Sequence, residues 1–318
     1  EKKVIRNYSV SNWPVNGENQ LRLSIKQELS PPESEDIPAG LVSNFMHQQV
    51  AVGSILEAIV PSGQFFLNQS NKKPVVLLSG GVGITPMISM AHALALDTTR
   101  QVYFIHACDS AKVQAFSQEL STLALAHSNI HQHICYRFVS NEDVLGVNYH
   151  SQGFLSKETL QSVLPLDVYE FYLCGPPPFM QAMYSNLLEL GVTEDAINYE
   201  FFGPATLLKS KAPAVESNKA VVAIEPITDK QNSDLPAITF SDSDIDTVWS
   251  DEYENILEFA EANGIEANFS CRIGICNECK CALSAGEVTY NSEPLDYPEP
   301  GYFLPCCSKP SKDLVIKL

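Results

Sequence analysis

Cys271, Cys276 and Cys279 stand in C-x4-C-x2-C spacing, and Cys306 follows in the segment Phe303-Leu304-Pro305-Cys306-Cys307-Ser308. Three thiolates from one tight loop and a fourth from a distant strand end form the ligand set of a [2Fe-2S] cluster. Gly274 lets the loop backbone turn where other residues resist, so that N–H groups can point at the cluster sulfurs. Zinc suits the pattern less well, because it favours paired C-x2-C knuckles. Such a cluster takes one electron at a time. The rest of the chain should therefore hold an electron source and a converter from pairs to single electrons.

A second constellation is Gly80-Gly81-Val82-Gly83-Ile84-Thr85-Pro86, which follows an apolar run and opens an apolar helix. Glycines let a diphosphate approach the backbone, and unpaired N–H groups at a helix start attract its charge. Thr85 reads as the helix N-cap and Pro86 as the first helical residue. Cys174-Gly175-Pro176-Pro177 ends another apolar run. Ligands of parallel sheets lie beyond the carboxyl ends of strands, which puts Cys174 beside a nicotinamide. After the second strand the chain reads Cys108-Asp109-Ser110-Ala111-Lys112, one acid and one base, which leans toward NADH over NADPH.

The elements that must position these residues change character along the chain. Over residues 1–69, extended alternating runs (Val4 to Ser11, Leu21 to Gln27, Ile55 to Ile59) are separated by Pro and Gly turns, as in part of an antiparallel barrel. Alternation puts Arg6 and Tyr8 on one face, with Ser9 on the other unless the strand bends. Gly40-Leu41-Val42-Ser43 precedes a short helix, a second anion-friendly terminus. Over residues 70–208, strands at Val75–Leu78, Val102–Ala107 and Phe171–Cys174 alternate with helices at about Pro86–Leu96, Val113–Leu125 and Phe179–Leu190. That order predicts a doubly wound parallel α/β domain. Residues 209–234 read as a polar linker with a possible strand at Val221–Ile224. Residues 235–318 turn compact again, with a strand at Ala237–Phe240, a helix near Glu252–Asn263, the cysteine loop and short strands.

The formal net charge of −18 is uneven. Residues 213–318 hold 7 Lys/Arg against 19 Asp/Glu, and residues 1–212 hold 13 against 19. Nucleic-acid binding is excluded by this balance. Asp242 to Glu261 contains eight acids and no base, which serves either as a solubilising face or as a docking surface for a basic redox partner. No run approaches the ~18 apolar residues of a membrane span. Six of the nine cysteines fall between Cys271 and Cys307, and ligand spacing rather than disulfide bonding explains four of them, so a cytoplasmic setting is expected.

Arg6-Asn7-Tyr8-Ser9, Gly40-Leu41-Val42-Ser43, the Gly80 turn, Phe171-Tyr172-Leu173-Cys174-Gly175-Pro176 and Tyr199-Glu200-Phe201-Phe202-Gly203-Pro204 occur in that order. Together they resemble the reductase module of flavohaemoglobins, in the ferredoxin–NADP reductase superfamily, over roughly residues 4–208. Residues 235–318 resemble a plant-type ferredoxin. The combination resembles bacterial flavin reductases that feed oxygenases or the hybrid-cluster protein. The resemblance implies a partial flavin-binding β-barrel (1–69), a nucleotide domain (70–208), a linker (209–234) and a β-grasp ferredoxin domain (235–318).

It also implies roles. Arg6 would bind the FAD pyrophosphate, Tyr8 would pack on the ring system or bond the ribityl chain, and Ser9 would bond near N5. Gly40, Leu41, Val42 and Ser43 would hold the FAD phosphates. Gly80, Gly81, Gly83, Thr85, Pro86, Cys174, Gly175 and Pro176 would surround the nicotinamide cofactor. Phe202 would lie by the flavin and Glu200 near the hydride path, so that Ser9, Cys174, Glu200 and Phe202 make the catalytic set. Cys306 is preferred to Cys307 and Cys281 as fourth ligand, because it lies four residues before Pro310, as in the family's Leu-x-Cys-x3-Pro ending. The chain starts almost at the Arg-x-Tyr-Ser strand and without Met, which suggests a truncated record. The lost part would carry further barrel strands, with room for a globin or a sulfur-carrier-type domain. The expected function is an NADH-dependent reductase passing electrons through FAD and [2Fe-2S] to a redox partner. Two alternatives stand beside it: the reductase part of a nitric oxide dioxygenase, and a non-enzymatic ferredoxin-like carrier or sensor.

Overall fold

The structure, a computed structural model, describes the chain except residues 1–3, 5, 15–19, 31–37, 59, 62, 203–234, 270, 271, 273, 275, 276, 295 and 296. The linker and its possible strand, together with Gly203 and Pro204, lie outside the described residues. Two compact units divide the chain, one of residues 1–60 and 65–202, the other of residues 61–64 and 203–318.

The first unit contains α1 (Leu41–Gln48), β1 (Val75–Gly80), α2 (Ile84–Ala95), β2 (Val102–Cys108), α3 (Ser117–Ala126), β3 (Ile130–Tyr136), β4 (Ser151–Gln152), α4 (Lys157–Val163), β5 (Glu170–Gly175), α5 (Pro177–Glu189) and β6 (Ile197–Phe201). The strands form one parallel sheet in the order β4-β3-β2-β1-β5-β6. The order reverses at the β1/β5 boundary, a topological switch point where ligands of doubly wound sheets bind. Every residue of β1 and β5 is buried, as fits central strands covered on both faces. Val75, Leu77, Phe104, Ile134 and Tyr172 make the core on one face, against Ile84, Met87 and Ile88 of α2.

The amino edge of the sheet is locked by a buried network. Arg100 donates to the Lys73 carbonyl (2.7 Å), the Asn68 carbonyl (2.9 Å) and Glu170 Oε2 (2.7 Å). Tyr172 donates its hydroxyl to Glu170 Oε1 at 2.9 Å. Each buried charge therefore has several partners, the condition under which an interior ion pair is tolerated.

Three sequence expectations are corrected here. Thr85 is not the N-cap: α2 begins at Ile84 with Gly83 before it, and Thr85 Oγ1 instead donates to the Val82 carbonyl at 3.1 Å. A one-turn helix at Gly81–Gly83 runs directly into α2, so Pro86 is its third residue, where an amide hydrogen is not yet needed. The helix placed at Val113–Leu125 starts at Ser117, because Phe116 adopts a left-handed φ of 58° that breaks the preceding turn. The runs expected as barrel strands in residues 1–69 form no ladder among the described residues; Val10 and Leu23 make an isolated antiparallel bridge. Alternation marks a chain able to pair, but a strand exists only where partners supply the hydrogen bonds. This segment is instead held by side chains: Arg22 donates to both oxygens of Glu119 at 2.9 and 2.8 Å, and His92 Nε2 lies 2.7 Å from Glu119 Oε1.

The second unit contains β7 (Ala237–Phe240), β8 (Ile245–Val248), α6 (Ile256–Ala262), β9 (Cys281–Ala285), β10 (Val288–Tyr290), β11 (Tyr302–Phe303), β12 (Ser308–Pro310) and β13 (Leu314–Lys317). Five strands form a mixed sheet, β11-β9-β13-β7-β8, and β10 pairs with β12. The helix expected from about Glu252 begins at Ile256, because the Asn255 side chain caps it by accepting from the Glu258 amide at 2.9 Å. Its buried face, with Ile256, Phe259 and Ala260, covers Ile238, Phe240, Leu283 and Ile316 of the sheet.

Candidate functional site

The carboxyl edge of the parallel sheet brings together Gly80, Gly83, Cys174, Gly175 and Glu200, with Ser9 joined to Glu200. Glycine makes the edge possible. A Cβ on Gly83 would lie 2.2 Å from the Cys174 carbonyl oxygen, and one on Gly80 or Gly175 would strike the Phe179 ring at 2.7 Å. The end of β1 thus packs backbone-to-backbone on the end of β5, at the switch point.

Pairing then sets up a polar row on one face. His106 of β2, Ser79 of β1, Cys174 of β5 and Glu200 of β6 are successive register partners, and register partners in a parallel sheet share a face. Ser79 Oγ lies 2.9 Å from His106 Nδ1, and both residues are fully buried. Burial depresses His106 to about 4, so the ring is neutral near pH 7. Burial, and then the Glu200 charge, push the Cys174 thiol well above its usual range. This position holds a neutral S–H group rather than a nucleophilic thiolate.

Ser9 brings the amino-terminal segment to the same row: its hydroxyl donates to Glu200 Oε2 at 3.3 Å. Tyr8 is half-buried; burial raises its phenol and the neighbouring Arg6 charge acts against that rise. Arg6 is exposed, and Phe202 packs, partly buried, against the core beneath the sheet. Gly40 precedes α1, leaving the Leu41, Val42 and Ser43 amides in a first turn where no intrahelical acceptor exists. The Ser43 hydroxyl is committed inward, donating to the Gly40 carbonyl at 3.1 Å and accepting from the Glu28 amide at 3.3 Å. Backbone rather than hydroxyl is what this turn offers an anion. The residues present fit a flavin and a dinucleotide: they give a backbone cradle, an exposed guanidinium, and a carboxylate and hydroxyl in contact.

In the second unit, Cys279 and Cys306 are each 4% exposed and share a small apolar cluster with Leu257, Leu304 and Cys307. Cys271 and Cys276 lie outside the described residues. Among the described residues no group of three His, Cys, Asp or Glu is placed to hold a metal ion. The loop nevertheless fits a cluster. Arg272, Gly274 and Asn277 have φ of 59°, 74° and 57°, left-handed positions of the kind from which anion-binding backbone nests are built. A Cβ on Gly274 would lie 2.9 Å from Cys307 Sγ. Asn277 Oδ1 and Arg272 Nε are buried without a hydrogen-bond partner among the described residues. The outer Arg272 nitrogens bind both oxygens of Glu261, and its guanidinium lies 3.8 Å from the Phe269 ring centroid. Cys281 faces the main core of the unit, where burial raises its thiol.

Residues 77–185 match the oxidoreductase NAD-binding domain family, and residues 240–311 match the 2Fe-2S iron-sulfur cluster binding domain family. A flavohemoprotein of Bacillus thuringiensis subsp. konkukian is 39% identical over 205 residues, covering 64% of this chain and 50% of that one. The flavohem-like FAD/NAD-binding domain of nitric oxide dioxygenase from Vibrio cholerae O1 biovar El Tor is 38% identical, with a TM-score of 0.55 and coverage of 64% and 79%. The chain belongs to the ferredoxin–NADP reductase-type reductases, fused to a [2Fe-2S] ferredoxin domain. An intact type IV self-sufficient cytochrome P450 monooxygenase shares the fold, at 21% identity and a TM-score of 0.61 over 98% of this chain and 35% of that one. The chain spans about half the length of the curated relatives it matches. Among the described residues of this reductase–ferredoxin chain, no helix is long and apolar enough to cross a membrane.

Sequence reasoning missed Ser79, His106 and Arg137. The first two were legible in principle: each sits where its strand meets the carboxyl edge, the place where this sheet type binds ligands. Arg137 directly follows β3, a strand the periodicity did not reveal.

Proposed function

We propose that this chain carries electrons from NADH through FAD and a [2Fe-2S] cluster to an acceptor protein, such as an oxygenase or a hybrid-cluster protein, in the cytoplasm. The Ser9–Glu200 hydrogen bond carries this reading. It joins the segment expected to hold a flavin to the sheet edge expected to hold a nicotinamide, which is what hydride transfer requires. Bound FAD would supply acceptance of a hydride as an electron pair, and the bound cluster would supply one-electron delivery.

The chain's own residues have the remaining tasks. Gly80, Gly81, Gly83, Thr85, Pro86, Gly175 and Pro176 shape the dinucleotide cradle, and Cys174 packs a neutral thiol beside it. Glu200 and Ser9 fix each other's orientation at the reacting edge, with Phe202 excluding water. Arg6, Tyr8 and the turn Gly40, Leu41, Val42 and Ser43 hold the flavin. The nucleotide domain runs over 70–208 and the ferredoxin domain over 235–318, where Cys271, Cys276, Cys279 and Cys306 ligate the iron.

The test is anaerobic addition of NADH to the reconstituted chain while flavin and cluster absorbance are followed. Bleaching of both supports the reading, and an inert spectrum refutes it. A second reading, the reductase part of a nitric oxide dioxygenase, is favoured by the flavohemoprotein relatives and opposed by the ferredoxin domain. NO consumption that depends on added haem protein would support it.

A further inference from the structure

The geometry points to Asp109 and Arg137 as an ion pair that selects the dinucleotide by its adenosine 2′-substituent. It would accept the hydroxyl of NADH and mask a latent site for the 2′-phosphate of NADPH. The inference rests on the nucleotide reading above and adds the specificity of that same site.

Asp109 follows β2 directly and Arg137 follows β3, and the two strands are still in register at Cys108 and Tyr136. Beyond the strands the Arg137 amide donates to the Cys108 carbonyl at 3.0 Å, and the Phe138 amide to the Asp109 carbonyl at 2.8 Å. Both side chains therefore leave a braced backbone at the carboxyl edge. The strand order puts β2 and β3 on one side of β1, and Cys174 of β5 on the other. A dinucleotide with its diphosphate at the β1 turn and its nicotinamide toward β5 lays its adenosine half over β2 and β3.

The pair is 3.7 Å from Arg137 Nη1 to Asp109 Oδ1, with the side chains 48% and 66% exposed. The guanidinium carbon lies 4.8 Å from the Phe138 ring centroid and 4.9 Å from that of Phe154. Both rings are exposed, an unusual surface use of two large aromatics, and they hold Arg137 in place through cation–π attraction. Their open faces, with the guanidinium plane, form a stacking platform for a purine.

Charge decides the selection. A carboxylate accepts a hydrogen bond from a ribose 2′-hydroxyl but repels a 2′-phosphate, which carries more than one negative charge near neutral pH. A guanidinium binds phosphate well, in bidentate fashion, yet here Asp109 offsets its charge. Removing the acid while keeping its shape exposes the cation.

The experiment compares kcat/KM for NADH and NADPH, read as flavin reduction by the full chain loaded with FAD and cluster. The wild type favours NADH. Asp109→Asn shifts the ratio toward NADPH by about tenfold, more at low salt than at high salt. Asp109→Asn combined with Arg137→Gln loses that shift. Three results would overturn the inference: a wild type that prefers NADPH, an unchanged ratio in Asp109→Asn, or a gain that survives in the double variant. Failure of both nucleotides to reduce the wild-type flavin would instead sink the functional reading itself.

Discussion

A methyl group at Gly83 has nowhere to go, because the nearest atom is a main-chain carbonyl oxygen 2.2 Å away that cannot rotate aside. Gly83→Ala is therefore expected to part the ends of β1 and β5, costing about 1–3 kcal/mol and slowing NADH-dependent flavin reduction. Urea denaturation and stopped-flow absorbance read the two effects; a variant normal in both would show that the edge yields. His106 supplies a pH prediction. Its folded pKa, about 4, lies below the 6.5 of a free imidazole. Between those values the unfolded chain binds a proton that the folded chain does not, so stability falls as pH drops from about 6.5 toward 4. The loss from this residue alone reaches about 3 kcal/mol by pH 4. Unfolding curves at pH 7 and pH 5 for wild type and His106→Asn test it, the variant being expected to show the flatter dependence.

The elements divide labour between the two edges of the parallel sheet. The carboxyl edge carries the proposed site, and the amino edge carries the Arg100–Glu170 pair, whose side chains are 2% and 9% exposed. Arg100→Met should leave a buried carboxylate without its cation and cost about 3–5 kcal/mol, without a change in cofactor preference at the opposite edge. Denaturation midpoints and the NADH:NADPH ratio measure these separately. The sequence made the central elements legible because Val75–Leu78 of β1 and Phe171–Cys174 of β5 read as unbroken apolar runs. It concealed β3, where Ile130-His131-Gln132-His133-Ile134 interleaves polar side chains. Those are accommodated locally, His131 against Gln101 at 2.9 Å and His133 against Ser151 at 2.8 Å, partnerships that no periodicity foretells. The amino-terminal runs misled in the opposite sense. Their alternation is real, but the Arg22–Glu119–His92 cluster holds them to α2 and α3, and an ion pair between Arg22 and Glu119, 97 residues apart, leaves no local trace. Of the sites, the glycine turn and cysteine spacing could be read directly, whereas the Ser79–His106 contact needed the register of two strands.

At the scale of the molecule, the proposed points of electron entry and exit reside in different compact units, so they should be separable by mutation. Cys306→Ser is expected to lose the cluster, seen as lost iron and lost visible absorbance, while NADH still bleaches the flavin. Cys307→Ser should keep the iron, since the Cys307 thiol is turned toward the Leu304 carbonyl, at 3.6 Å. The reverse pattern would reassign the fourth ligand to Cys307. Within the second unit, β13 occupies the middle of the five-stranded sheet, parallel to β7 on one side and antiparallel to β9 on the other. A ribosome making this protein must release Leu314–Lys317 before that sheet can close, and until then β7 and β9 are both open edges. A nonsense codon or protease nick just upstream of Leu314 would thus split the ferredoxin unit through its centre instead of fraying its rim.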